Sequence, residues 1–436
     1  MSSVDILTYA QTMLEPFDAV PFNDVDASIL AQLSYAQLDD GCVPTLEVTR
    51  ALYEYKRVQA TRRTPANLWH ALVHRDDRAY ALDARAALTD EERFVSLTEA
   101  FWRREDFETI FPTDVTRDMM MDLVAALTSS PRFRDVRVGE FTYEFNDERH
   151  NDKQFAAMTF LLPNGIEVLS FRGTESSFVG WREDFELAYE KVIPSQTAAV
   201  EYVKEMARHA GASRELILAG HSKGGNTAVY AASVVPEDIQ KHITHVYTFD
   251  GPGFITDLLE TPGYQRIENR ITKLIPQDSF VGLMFKGREP YSVVHSSASG
   301  LNEHFMYHWD VDVASACFVP EERVTPSALN IADSYVEWTD SLDIPTRRKV
   351  IDSMFAIFES TGYSSFAEIS SNMSTAGPVM WQAAYGADPA VRDVVITAFR
   401  DLFSLIFGFN RSLLQVEGFL SRLPFGFGQS SQGGEQ

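Results

Sequence analysis

The sequence of 436 residues predicts an α/β protein with a largely parallel central sheet and helical regions before and after it. Short apolar runs of strand length alternate with amphipathic segments in the middle of the chain, and this alternation is typical of a parallel sheet covered by helices. On either side, helical periodicity dominates. The predicted divisions are a helical N-terminal region (1–110), the α/β core (111–318), a helical C-terminal region (319–425) and a flexible polar tail (426–436).

The N-terminal region contains helix signals and no residue that we connect with catalysis. Val25–Tyr35 carries apolar side chains at helical spacing, with Asn23 or Asp24 as candidate caps. Further helices are predicted in this region at Leu46–Ala60 and Pro65–Val73, and another at Asp114–Leu127 begins the core.

Strand signals begin with the alternating segment Arg137–Phe145. Phe155–Leu162 and Ile166–Phe171 follow, joined by a Pro-Asn-Gly turn signal. Helices at 181–190 and 196–209 precede the remaining predicted strands, Leu216–Ala219, His245–Phe249, Ile271–Ile275 and Tyr291–Val294.

Beyond Phe318 the strand signal fades, and residues 325–423 have helical periodicity. Val391–Phe409 is the strongest of these segments because it has a broad apolar face. We expect it to pack as a helix on the domain, and a helix lying at a membrane interface is the alternative.

The composition argues against several classes of partner. The net charge is −24, from 62 acidic and 38 basic residues, and such a field repels nucleic acid and anionic membranes. We see no secretory signal and no apolar run of membrane-spanning length, so no integral membrane segment is expected and membrane contact is at most transient. Cys42 and Cys317 suggest no disulfide framework, and the expected location is cytoplasmic.

No metal or organic cofactor is expected. His70 and His74 are four residues apart and could share one helix face, which is metal-ligand spacing. No third ligand lies nearby in register, so a structural role is favoured for both.

The residues that carry chemistry begin at Gly220-His221-Ser222-Lys223-Gly224, which matches G-x-S-x-G between a predicted strand and a predicted helix. In that context the pentapeptide is a nucleophile elbow, with the serine hydroxyl exposed on a strained turn. The two glycines avoid collisions at so sharp a turn. The Lys223 N–H begins the helix and can face an oxyanion.

A serine nucleophile needs a general base and an orienting acid, which in α/β-hydrolases follow it in the order acid, then histidine. Of the ten histidines, only three lie late enough after Ser222, namely His295, His304 and His308. Asp250 and Asp278 each end a predicted strand and are both credible acids. Thr174, after the strand that ends at Phe171, is a candidate second oxyanion donor.

Taken together, FRGTESSFVGWREDF, AGHSKGG and VYTFDGPGF resemble the class 3 lipase group of α/β-hydrolases over roughly residues 135–310. PFNDVDASILAQLSY and KLIPQDSFVGLMF further resemble an uncharacterised bacterial lipase-like branch.

The resemblance implies an α/β-hydrolase fold with Ser222 as nucleophile and His304 as base. It favours Asp278 over Asp250 as the acid. It also implies that Thr174 and the Lys223 N–H bind the oxyanion.

In the same pattern, Trp181 and Asp184 match the segment that steadies the oxyanion loop and begins the lid. The elbow departs from the pattern in having Lys223 where these lipases usually have leucine. We expect its side chain to be solvated on the elbow helix, and contact with an anionic head group is the alternative.

The expected function is a serine esterase that acts on a lipid or lysolipid. Because secreted lipases carry a signal peptide and none is seen here, a bulk triglyceride substrate is not expected. A thioesterase or acyltransferase with the same site, and a non-catalytic scaffold that binds lipid or protein, are the alternatives.

Overall fold

The computed structural model describes most of the chain. The described residues are 4–38, 41–62, 64, 67, 69, 82–83, 85–102, 110–111, 117–175, 177–211, 214–255, 257–285 and 290–398. They form two compact units. The first comprises Met1–Glu175 and Val179–Ala328, and the second comprises Ser176–Phe178 and Leu329–Gln436, in each case as far as the residues are described.

Among the described residues, the first unit is built around a nine-stranded sheet. Its strands are β1 Phe94–Ser96, β2 Arg137–Asn146, β3 Lys153–Leu161, β4 Glu167–Phe171, β5 Leu216–His221, β6 Ile243–Phe249, β7 Ile271–Pro276, β8 Tyr291–Val294 and β11 Pro320–Glu321. They lie in the order β1-β2-β3-β4-β5-β6-β7-β8-β11. The strands from β4 to β8 run parallel, and the strands outside them pair antiparallel. A two-stranded sheet pairs β9 Val311–Asp312 with β10 Cys317–Phe318.

The expectation of an α/β protein is confirmed, with parallel pairing at the centre of the sheet. Seven of these strands coincide with predicted segments to within a few residues. The short strands β1, β9, β10 and β11 were not predicted, because two or three residues are too few to show alternation.

The longer helices cover the sheet. In the first unit they are Ile6–Thr12, Asp24–Leu33, Leu46–Ala60, Leu97–Trp102, Arg117–Ser129, Phe178–Glu186, Pro194–Ala210, Lys223–Val234 and Pro262–Ile267, of which Phe178–Glu186 begins in the second unit. Six of them lie near predicted helices, whereas Ile6–Thr12, Leu97–Trp102 and Pro262–Ile267 were not predicted individually. The predicted helix Pro65–Val73 lies largely outside the described residues.

Both faces of the sheet are buried. Ile217 and Ala219 of β5 belong to the apolar cluster that contains the N-terminal helices. Leu216 and Leu218 belong to the cluster that contains the helices Pro194–Ala210 and Lys223–Val234. A strand buried on both faces reads as a continuous apolar run, which is why LILA lacks alternation in the sequence.

The helix Asp24–Leu33 is fixed at its start by polar contacts. Asn23 and Asp26 form a capping box, so the prediction of Asn23 as a cap is confirmed. The Asp26 N–H donates to Asn23 Oδ1 at 3.1 Å, and the Asn23 N–H donates to Asp26 Oδ2 at 3.0 Å. The Asp26 carboxylate is completely buried and also accepts from the Arg132 guanidinium, with Nε at 2.8 Å. This pair joins the first helices to the segment that precedes β2.

The second unit is helical as far as it is described. Its helices are Pro326–Ser341 (of which the first residues belong to the first unit), Ile344–Glu359, Phe366–Ser371 and Met373–Gly386, and residues 392–398 are also helical. Phe178 packs against Phe358 and Phe366, with ring centroids 6.0 Å and 4.9 Å apart. Most of the predicted helix Val391–Phe409, and the predicted tail, lie outside the described residues.

Within the described part of the chain, no helix combines the length and apolarity needed to cross a membrane.

Candidate active site

The serine of the G-x-S-x-G motif lies at a sharp turn between β5 and the helix Lys223–Val234. Ser222 has φ 56° and ψ −131°, a strained conformation for a residue with a side chain. Its N–H donates to the Phe249 carbonyl at 2.9 Å, and its side chain does not cap the helix. The serine hydroxyl is thus held at the carboxyl end of the central strands.

The two glycines of the motif are required by close approach of backbone. A Cβ atom on Gly220 would lie 2.2 Å from the Gly224 carbonyl oxygen. A Cβ atom on Gly224 would lie 2.1 Å from the Phe171 carbonyl oxygen. Any side chain at either position would therefore push the turn away from β4 or from its own helix.

His304 ends the short 3₁₀ helix Gly300–His304 and contacts a buried carboxylate. Its Nδ1 lies 2.6 Å from Asp250 Oδ2, and its side chain is 20% exposed. Because an ionised carboxylate can only accept, the ring carries a proton on Nδ1, and in the neutral ring Nε2 is free to take another. This is the arrangement that a general base needs.

Asp250 directly follows β6 and is held by three donors. It has φ 48°, which an aspartate tolerates better than most residues. Oδ2 accepts from His304, while Oδ1 accepts from the Ser279 hydroxyl and from the Gly282 N–H at 3.0 Å. These bonds fix the carboxylate in a site that is 1% exposed.

Asp278 has other partners. Its carboxylate accepts from the Thr325 hydroxyl, and its N–H donates to Glu303 Oε2 at 2.8 Å. Burial raises the pKa of Glu303 to about 7. The structure thus brings Asp250 to the His304 imidazole, whereas Asp278 helps to hold the neighbouring Glu303.

The other two candidate histidines have surroundings of their own. His295 lies on the surface with its side chain 39% exposed, and its Nδ1 contacts Asp310 Oδ2 at 2.9 Å. His308 ends the 3₁₀ helix Met306–His308, and its N–H donates to the Phe305 carbonyl. For neither ring does the structure give a contact with Asp250 or Asp278.

Two residues that the sequence analysis did not single out complete the surroundings of His304. Burial lowers the pKa of His221 to about 3, so its ring is neutral. His221 Nε2 lies 2.6 Å from the His304 carbonyl oxygen, which can only accept, so Nε2 carries the proton. His221 Nδ1 must then accept from the Tyr35 hydroxyl at 3.1 Å. The histidine beside the nucleophile is part of the motif, but no local pattern around Tyr35 indicates that its side chain contacts His221.

Thr174 follows β4, the strand that pairs with the elbow strand β5. Its hydroxyl donates to Asp184 Oδ2. Burial raises the pKa of Asp184 to about 6. The other carboxylate oxygen, Oδ1, is buried and has no hydrogen-bond partner.

The expectation for the Lys223 side chain was wrong. It is not solvated, since it is only 1% exposed, and Nζ lies 2.7 Å from Glu183 Oε2. Burial acts to lower the pKa of the Lys223 ammonium, but the Glu183 and Asp184 carboxylates outweigh it, so the pKa lies above its ordinary value. The ammonium is therefore a buried, paired cation.

The described residues contain no group of three or more histidine, cysteine, aspartate or glutamate side chains placed to hold a metal ion. His70 and His74 lie outside the described residues.

Comparison with known proteins gives a family and matches among solved structures. The structure of the M37 lipase is similar to this chain at a TM-score of 0.30 and 16% identity, over 46% of this chain and 71% of that one. No curated protein matches the chain. The model of the Mbeg1-like family matches residues 127–356, which include the elbow, Asp250 and His304. Because this match covers more than half of the sequence, the chain belongs to the Mbeg1-like family.

Proposed function

We propose that this protein is a serine hydrolase of the α/β-hydrolase fold, which cleaves an acyl ester of a lipid or lysolipid. The contact between His304 Nδ1 and Asp250 Oδ2, at 2.6 Å, carries the proposal. His221, at the end of β5, pairs with Phe249, at the end of β6, so the residues that follow them, Ser222 and Asp250, lie at one edge of the sheet. The His221 and His304 rings are 4.4 Å apart, which places the imidazole next to the elbow.

In the proposed reaction the Ser222 hydroxyl attacks the ester carbonyl while His304 Nε2 takes its proton. Asp250 keeps the Nδ1 proton in place and stabilises the imidazolium that forms. The tetrahedral intermediate then collapses to an acyl-enzyme as His304 returns the proton to the departing alcohol. Water, activated by the same imidazole, releases the acid and restores Ser222.

The oxyanion is bound by the Lys223 N–H, at the start of the elbow helix, and by the backbone N–H of Thr174, because the Thr174 hydroxyl donates its only proton to Asp184. The first N–H groups of a helix have no partner within it, and the helix dipole favours negative charge there. Each donor of this kind contributes on the order of 3 kcal/mol to transition-state stabilisation.

The preference for a lipid ester comes from the sequence motifs shared with class 3 lipases. Attack at an acyl carbon is the same step for an ester and a thioester, and for water and an alcohol as acceptor. Assays with thioester substrates and with added alcohols therefore belong to the test, and their products identify the substrate class.

Labelling by a fluorophosphonate probe tests the proposal. We expect the wild-type protein to form a covalent adduct at Ser222, detected by intact mass and peptide mapping. Ser222→Ala and His304→Ala should lose the adduct, while His295→Ala, which changes the surface histidine paired with Asp310, should keep it.

Absence of labelling in folded wild-type protein, together with no turnover of esters or thioesters presented in detergent micelles, would contradict the proposal. Lipid binding by such an inert protein would identify a non-catalytic scaffold.

A further inference from the structure

The side chain of Lys223 occupies an unusual position for a cation, directly after the proposed nucleophile yet buried. Nζ donates to Glu183 Oε2 at 2.7 Å and to the Gln154 carbonyl at 3.2 Å. It also lies 3.9 Å from Asp184 Oδ1. An ammonium enclosed in this way cannot bind a substrate head group, so its role must be exerted through its neighbours.

Glu183 is the fixed end of this contact. Its carboxylate is completely buried and accepts from the Ser195 N–H at 2.8 Å, the Ser195 hydroxyl at 2.8 Å and the Gln154 N–H at 3.0 Å. With Lys223 it therefore has four donors. The helix Phe178–Glu186, which contains Glu183, is thereby tied to the elbow by a charge pair.

Asp184 is the next residue on that helix, and it connects the charge pair to the proposed oxyanion loop. Its Oδ2 accepts from the Thr174 hydroxyl, while its Oδ1 has no hydrogen-bond partner and faces the Lys223 ammonium. A chain of contacts thus runs from Lys223 through Asp184 to Thr174.

We propose that Lys223 is a positioning residue, whose buried ammonium holds Glu183 and Asp184 at the elbow. Asp184 in turn anchors the Thr174 side chain through its hydroxyl, and this anchor positions the Thr174 backbone N–H as the oxyanion donor. This inference rests on the function proposed above. It assigns a role to a side chain that the proposed reaction itself does not use.

The charge of Lys223 has a second effect, because Asp184 must be ionised to be a strong acceptor for Thr174. Lys223, Glu183, Thr174 and His304 are the groups that act on Asp184. Burial raises the pKa of Asp184 to about 6, and Lys223 is the largest opposing influence. Without the ammonium, Asp184 takes up a proton at a higher pH.

The test uses the full-length chain with Lys223→Met alone, Glu183→Gln alone and both together. The single lysine change leaves a buried carboxylate unpaired and is expected to destabilise the fold. The double variant removes both charges and is expected to fold, as judged by circular dichroism and thermal melting. We expect its kcat for a p-nitrophenyl ester to fall at least about tenfold, with KM little changed, because a transition-state interaction is lost.

We also expect the acid limb of its kcat–pH profile to move to higher pH. Adding Asp184→Asn to the double variant should abolish this shift of the acid limb, and that result would assign the shift to Asp184. A purely structural charge pair would predict that the double variant regains both stability and wild-type kcat with an unchanged acid limb, and this result would overturn the inference. If wild-type protein itself has no turnover and no labelling, the proposed function fails and the inference fails with it.

Discussion

The most direct prediction concerns the carboxylate that faces His304. In Asp250→Asn the amide nitrogen or oxygen replaces Oδ2, and the Nδ1–Oδ2 contact of 2.6 Å can no longer be a bond to a charged acceptor. The imidazole then shifts toward the tautomer with its proton on Nε2, which cannot take the Ser222 proton. The expected loss in kcat is about 10⁴-fold, which corresponds to about 5 kcal/mol of activation free energy.

The fold should survive this change. The asparagine oxygen can still accept from the Ser279 hydroxyl and the Gly282 N–H, which bond Oδ1 in the native protein. The cost to stability is then about that of one hydrogen bond to a charged group, about 1.5 to 3 kcal/mol. A denaturant melt checks that the loss of activity is not a loss of folded protein.

Asp278→Asn is the matched control, since its oxygen keeps the contact with the Thr325 hydroxyl. The measurement is kcat on a p-nitrophenyl ester of a short fatty acid for the wild type and both variants. We expect the Asp278 variant to stay near the wild type. Retained kcat in Asp250→Asn, combined with its loss in Asp278→Asn, would refute the assignment of the acid.

Two further predictions concern the backbone of the elbow and a buried carboxyl group. Gly224→Ala places a Cβ 2.1 Å from the Phe171 carbonyl oxygen. We therefore expect a clear drop in melting temperature and loss of fluorophosphonate labelling. A melting temperature equal to that of the wild type would contradict the steric argument. Burial, with Asp152 and Glu183 nearby, raises the pKa of Glu186 from 4.5 to about 8, so between these pH values the folded state holds a proton that the unfolded state has released. The free energy of unfolding should therefore fall as pH rises through this window, by on the order of 1 to 4 kcal/mol by pH 8. Glu186→Gln should remove this dependence. Parallel curves of stability against pH for the wild type and Glu186→Gln would refute the prediction.

Much of the fold is encoded in local patterns. The strand, turn and helix of the elbow are contiguous in the sequence, and the two glycines that permit the turn are part of the motif itself. The cap of the helix Asp24–Leu33 is likewise written within four residues, from Asn23 to Asp26. Features of this kind depend on steric and hydrogen-bonding preferences of neighbouring residues, so one sequence suffices to predict them.

The surroundings of Lys223 show where local reasoning fails. A lysine on a helix is normally exposed, and nothing within the motif indicates otherwise. Here the side chain is buried and its charge is paired with Glu183, which is 40 residues away in the sequence and belongs to another helix. The sequence shows both charged residues, but it does not show that they form an ion pair.

The partner of His304 was also decided by tertiary structure. Asp250 and Asp278 both follow parallel strands of the sheet, so their side chains end at the same edge and the sequence alone could not choose between them. The choice depends on how the loop with His304 returns over that edge, 54 residues after Asp250. Tyr35, 186 residues before His221, is a still more distant contact. The sequence by itself determined the elbow and the positions of seven strands along the chain, because these follow from adjacent residues. Only the folded chain determined which charged and polar groups meet around the elbow, because such contacts depend on the packing of segments far apart in the sequence.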